Sequence, residues 1–130
     1  MKILCIRTDK PEAELYLYDG AKELKRTFWR AHRELSTTLH QKVDEILESV
    51  GLGNDSLEGI VIYKGPGSFT GLRIGFSVAN AMASILKIPI MANMGDDWLQ
   101  SGIKRLIAGE NQKVALPEYG SKVNITKPKK

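Results

Sequence analysis

The chain has one cysteine and two histidines in 130 residues, and that scarcity closes several kinds of chemistry. Cys5 has no partner for a disulfide and lies in the apolar run Ile3 to Ile6, where a buried, inert thiol is expected. His32 and His40 stand eight apart, and no Cys-x-x-Cys or His-Glu-x-x-His spacing occurs, so no metal site is expected. Long apolar runs are missing too. The longest, such as Ile3 to Ile6 and Ile60 to Tyr63, hold a few residues each, so no segment is expected to cross a bilayer. The opening Met1-Lys2-Ile3-Leu4 enters strand-like sequence without the apolar stretch and cleavage site of a secretion signal. A cytoplasmic protein without membrane attachment is expected.

An excess of one charge is missing from most of the chain. The formal charge is +4, yet residues 1–112 carry 14 basic and 14 acidic side chains. The surplus sits in the last eighteen residues, where Lys113, Lys122, Lys127, Lys129 and Lys130 outnumber Glu118. A tail of this kind adds weak, salt-sensitive attraction to RNA or is an ordinary solvated end, and the second reading is favoured. With 42% hydrophobic residues the chain suffices for one core. One domain over 1–110 is expected, with an irregular basic tail over 111–130.

Residues 2–7 are apolar on both alternating faces, as in a central strand covered on both sides. Residues 14–19 and 22–31 flank Asp19-Gly20 and predict a hairpin, with Phe28 and Trp29 on opposite faces. Leu35, Leu39, Val43, Ile46, Leu47 and Val50 recur at helical intervals; Thr38 and Gln41 suggest a capping box, and Gly51 and Gly53 a stop. A strand is expected over 59–63, a helix over 70–87 capped by Ser68 or Thr70, a strand over 88–91 and a helix over 96–106. This order predicts a mixed α/β sheet of five strands with helices on both faces, in the ribonuclease-H-like or actin-like arrangement.

The segment Gly65-Pro66-Gly67-Ser68-Phe69-Thr70-Gly71-Leu72-Arg73-Ile74-Gly75 joins a strand to a helix and demands unusual backbone geometry. Its glycine spacing matches neither the phosphate-loop nor the dinucleotide pattern. Free N–H groups at the helix start could still hold an anion, with Ser68, Thr70 and Arg73 as donors. Gly71, Gly75, Ala79 and Ala83 form a stripe of small residues that lets another backbone approach. Leu72, Ile74, Phe76, Val78, Met82, Ile85 and Leu86 cover most of the remaining circumference, more than one sheet can bury, so cover from another subunit is expected.

That eleven-residue segment closely resembles the signature of the TsaB (YeaZ) family of tRNA threonylcarbamoyladenosine biosynthesis, supported by Met1 to Ile6, the helix near 35–50 and Ile88-Pro89-Ile90. The resemblance covers roughly residues 1–108. It implies an actin-like (ASKHA) fold and a non-catalytic scaffold that pairs with TsaD, the subunit expected to carry ATP and metal. TsaE is a further candidate partner, tRNA is met through the complex, and a homodimer is expected when the chain is alone. It also places the interface on the helices at 35–50 and 70–86: Leu35, Leu39 and Val43 on the first, and Leu72, Gly75, Phe76, Ala79, Met82 and Ala83 on the second. The signature turn is Gly65, Pro66, Gly67, Ser68, Phe69, Thr70, Gly71 and Arg73.

Two departures stand out. Arg7 occupies the position after the first strand where the family usually has an aspartate, and a cation there opposes Mg²⁺ binding. Relatives normally carry a second actin-like half, whereas this chain proceeds to Ala115-Leu116-Pro117-Glu118-Tyr119 and a basic end, so a shortened form is expected. No cofactor is expected. The competing expectations are a minimal actin-like ATPase or peptidase, prompted by Ser68, Thr70 and Arg73, and an RNA-binding accessory domain acting through the lysines.

Overall fold

Strand β1 (Lys2–Arg7) is the centre of the molecule because its four inner residues, Ile3 to Ile6, are apolar on both faces, so both faces of the sheet must be covered. A computed structural model describes residues 1–119. Strand β1 pairs antiparallel with β2 (Glu12–Asp19), and β2 with β3 (Lys22–Arg30), which turns at Gly20 with φ +61°. On its other side β1 pairs in parallel with β4 (Gly59–Tyr63), which pairs in parallel with β5 (Ile90–Asn93). The sheet order is β3-β2-β1-β4-β5, mixed and five-stranded, the actin-like α/β arrangement that the element order implies.

Helices α1 (Leu35–Glu48) and α2 (Phe69–Leu86) cover one face, and α3 (Trp98–Ile107) the other. On the first face Leu4, Ile6, Leu15, Leu17, Ile60 and Ile62 meet Leu39, Leu47, Leu72 and Phe76. On the second Ile3, Cys5, Val61 and Met91 meet Trp98, Leu99, Ile103 and Leu106. Trp29 and Phe28 do point to opposite faces. The Trp29 ring packs on the first core and its Nε1–H donates to Thr38 Oγ1 at 3.0 Å, tying β3 to α1, while Phe28 stays 45% exposed.

Several boundaries differ from expectation. No capping box forms at Thr38: a 3₁₀ turn over His32–Glu34 leads into α1, and the Thr38 hydroxyl donates back to the Glu34 carbonyl at 2.8 Å. The hydroxyl satisfies a carbonyl one turn earlier instead of capping an N–H. Ser68 is the cap of α2, its Oγ accepting from the Gly71 N–H at 3.3 Å. Strand β5 begins two residues later than expected, because Pro89 lacks an N–H for the ladder. Against the expectation that no segment suits a bilayer, α2 is long and apolar enough by length and composition, though a third of it lies buried inside this fold.

Residues 111–119 contain no helix or strand, yet they belong to the packed body. Ala115 is 1% exposed and joins the first core. Along the outer rim of β5, Asn111 Oδ1 accepts from the Ile90 N–H at 3.1 Å and Gln112 Oε1 from the Ala92 N–H at 2.8 Å. The Gln112 N–H donates to the Ile90 carbonyl at 3.0 Å. Two side-chain amides thus imitate a sixth strand and close that edge. The lysines of residues 120–130 lie outside the described residues.

Candidate docking surface

The signature turn follows from how closely α2 must approach β1. Gly65 has φ +115°, a conformation open to glycine, and a side chain there would run into the Glu118 carbonyl. The peptide between Gly65 and Pro66 is cis. A methyl group on Gly67 would collide with Asp9, and one on Gly71 or Gly75 with Thr8. The room left by the glycines is filled by hydrogen bonds: Thr8 Oγ1 donates to the Gly71 carbonyl at 2.8 Å, and the Ser68 N–H to the Asp9 carbonyl at 2.9 Å.

The stripe Gly71, Gly75, Ala79 and Ala83 does admit a close approach, but it comes from within the chain, which corrects the expectation that Gly75, Ala79 and Ala83 form a partner interface. The close neighbour at Gly71 and Gly75 is Thr8 of the same chain, at the end of β1, and Ala79 and Ala83 sit in the first core. Of the nine expected interface residues, Leu35, Leu39, Val43, Leu72, Gly75, Phe76, Ala79 and Ala83 are buried within the subunit, where no partner reaches them. The reason is directional. On each helix the largest apolar side chains turn to the largest apolar surface available, and that is the sheet. Met82 alone among the nine is half-buried and reaches the surface.

A second apolar stripe remains on α2 beside the buried one. Ile74, Val78 and Met82 are half-buried, and Ile85 is 78% exposed. The spacing of four, four and three residues puts them on one line. Between this line and α1 run two hollows that share His40. One of about 280 Å³ is lined by His40, Val43, Asp44, Asn54, Met82, Ile85 and Leu86. The other, wider, is lined by Ser36, His40, Arg73, Ile74, Ser77 and Val78. Sequence reasoning saw the apolar excess of α2 but assigned the wrong half of it to the outside. The signal that separates the halves is position relative to Gly71 and Gly75, which mark the side pressed to β1.

At the end of β1 the charges are paired internally. Arg7 Nε donates to Asp9 Oδ1 at 2.8 Å and a terminal guanidinium nitrogen to Oδ2 at 3.2 Å. The guanidinium also lies 3.9 Å from the centre of the Tyr63 ring. Partial burial would lower the Arg7 pKa, but the hydrogen bond and charge of Asp9 outweigh it and raise the pKa above its ordinary value. Asp9, 8% exposed, therefore has a cation already. Among the described residues no three His, Cys, Asp or Glu side chains cluster as metal ligands. Thr70 and Arg73 are exposed, Arg73 lying 5.5 Å from the Phe69 ring, and Phe69 packs at a tilt of 43° against Tyr119 with ring centres 4.5 Å apart.

Comparison with known proteins meets this geometry. The family model described as TsaD, tRNA N6-adenosine threonylcarbamoyltransferase, matches residues 29–92, from the end of β3 through α1, β4, α2 and most of β5. The tRNA threonylcarbamoyladenosine biosynthesis protein TsaB of Haemophilus influenzae is 36% identical over 63 residues, which is 45% of this chain and 27% of that protein. The Escherichia coli protein of the same name is 29% identical over 115 residues, 83% of this chain and 49% of that one. YeaZ from Pseudomonas aeruginosa superposes with a TM-score of 0.66 at 25% identity, over 72% of this chain and 43% of YeaZ. The chain spans about half or less of the length of these relatives. In sequence and in fold, the chain is similar to the TsaB (YeaZ) proteins.

Proposed function

We propose that the chain acts in tRNA threonylcarbamoyladenosine synthesis as a non-catalytic scaffold, docking on a TsaD-type threonylcarbamoyltransferase through the outer face of α1 and α2. The observation that carries this is the second stripe of α2. After the core is filled, Ile74, Val78, Met82 and Ile85 still line hollows against α1. At about 25 cal/mol per Å² of apolar area removed from water, covering such a face with a complementary helix pair supplies a driving force that can exceed the entropic cost of association. Without a transferase, the same face pairs with a second copy, and tRNA is met through the complex.

The residues nearest to chemistry support a scaffold over an enzyme. Asp9 is bound to Arg7, and the Ser68 hydroxyl is spent on the Gly71 N–H. A serine nucleophile needs a base within hydrogen-bond reach, and the Ser68 hydroxyl has none among its hydrogen-bond partners in the described residues.

Titration calorimetry of the purified chain with TsaD from the same cell tests the reading. Binding is expected, and Val78→Arg or Ile85→Arg should abolish it while leaving thermal melting unchanged. Binding by both variants equal to that of the parent would remove the proposal. Ala79→Arg is unsuitable, because Ala79 is wholly buried and an arginine there would break the core.

A further inference from the structure

The two edges of the sheet are treated differently. The β5 edge is closed by Asn111 and Gln112. The β3 edge runs nine residues, Lys22–Arg30, and no described residue pairs with its outer side. A strand of that length spans about 30 Å and presents alternate N–H and C=O groups outward, which is a template for another strand.

We propose that the outer edge of β3 accepts an extended acidic segment of a partner protein as a sixth strand. Charge identifies the occupant. Strand β3 carries Lys22, Lys25, Arg26 and Arg30 against a single acidic residue, Glu23. Glu23 is engaged by Arg26 at 2.7 and 2.8 Å and by the Tyr18 hydroxyl at 3.1 Å, so that pair cancels and Lys22, Lys25 and Arg30 supply the net positive charge. Lysines on an edge discourage neutral or basic strands from adding, and they reward an acidic one. The lysine-rich end of this chain has the same sign as β3 and does not complement it.

Specificity would come from alternate side chains. Arg26, Phe28 and Arg30 share the face away from α1, with Phe28 45% exposed between two exposed cations. An incoming strand with acidic residues flanking an apolar one matches that row. A row of arginines around an aromatic ring also suits single-stranded RNA. The neighbouring strand argues against it: Glu12 lies opposite Arg30 and Glu14 opposite Phe28, so a polyanion laid across the face would meet carboxylates, whereas a strand added at the outer edge lies one strand further from them.

The test is fluorescence anisotropy of the intact chain with a labelled peptide of about eight residues whose one face reads Glu, Val, Glu at alternate positions and whose other face is Thr, the length and pattern of strand addition. Saturable binding is expected. It should weaken about tenfold or more when alternate amides along one side of the peptide are N-methylated, and not along the other, since only one side faces β3. Lys22→Glu with Lys25→Glu, both exposed, should weaken it by a similar factor, with circular dichroism and melting unchanged. Indifference to methylation on both sides, equal binding of the peptide with Lys in place of Glu, or tighter binding of oligouridine would each overturn the proposal.

Discussion

Asn80 and Ala115 exchange a reciprocal pair of hydrogen bonds across 35 residues of sequence: the Asn80 side-chain amide donates to the Ala115 carbonyl at 2.9 Å, and the Ala115 N–H donates to Asn80 Oδ1 at 2.8 Å. One side chain on α2 thus reads both backbone groups of a residue in the irregular segment. That segment stays folded without a helix or strand because its polar groups are answered individually.

Asn80→Leu should therefore cost far more than its half-exposed position suggests. It strands two backbone groups of a residue that is 1% exposed, worth about 2 to 4 kcal/mol together. Urea denaturation measures the loss, and limited proteolysis should cut first within 111–119. A change below about 0.5 kcal/mol, the usual size of a surface substitution, would contradict the role assigned to Asn80.

Gly75→Ala should destabilise the chain even though alanine is the better helix former. The added methyl would overlap the Thr8 side chain, and overpacking of about 1 to 3 kcal/mol exceeds the propensity gain of about 1 kcal/mol. Thr8→Ala removes the obstruction but also the hydrogen bond to the Gly71 carbonyl. The double variant should lose less stability than the two single losses added together, a coupling read from a denaturation cycle.

Arg7→Ala leaves Asp9, 8% exposed, without its cation. Breaking a buried pair from one side is costly, and because the Arg7 side chain is still 22% exposed we expect about 1 to 3 kcal/mol. Arg7→Lys should recover only part, since an ammonium cannot span both oxygens or stack as a plane on Tyr63. Thermal melting of the three proteins gives the order.

Alkaline pH should unfold the chain through buried acids. Burial raises the Cys5 thiol well above its ordinary 9.0, and burial with a hydrogen bond to Glu14 or Glu23 raises Tyr16 and Tyr18 above 10.0. In each case the folded pKa exceeds the unfolded one. Their contribution is fully present below the unfolded values and is lost as pH climbs through the folded ones, so stability should begin to fall near pH 9. Cys5→Ala should flatten the first part of that decline in urea melts taken from about pH 7 to about pH 11.

What the sequence made legible was periodicity. The unbroken apolar run of β1, the turn between β2 and β3 and the three-to-four spacing in α1 depend on local pattern, and each element appears where its pattern lies. The facing of α2 was not legible, because a helix apolar on most sides carries no periodic mark of which side meets the sheet. Only the contacts of Gly71 and Gly75 with Thr8, more than sixty residues away in sequence, settle it. The role of Asn111 and Gln112 was hidden for the same reason, since side-chain amides that pair with a strand leave no repeat to detect.

The closed rim at β5 also limits how far copies of this fold can grow. A sheet extends without end only if both margins accept a newcomer, and here Asn111 and Gln112 occupy one of them. If two copies met margin to margin at β3, against the like charges of Lys22, Lys25 and Arg30, the product would carry a shut rim at each end. Association by that route stops at a pair, and the geometry that admits one visitor denies a filament.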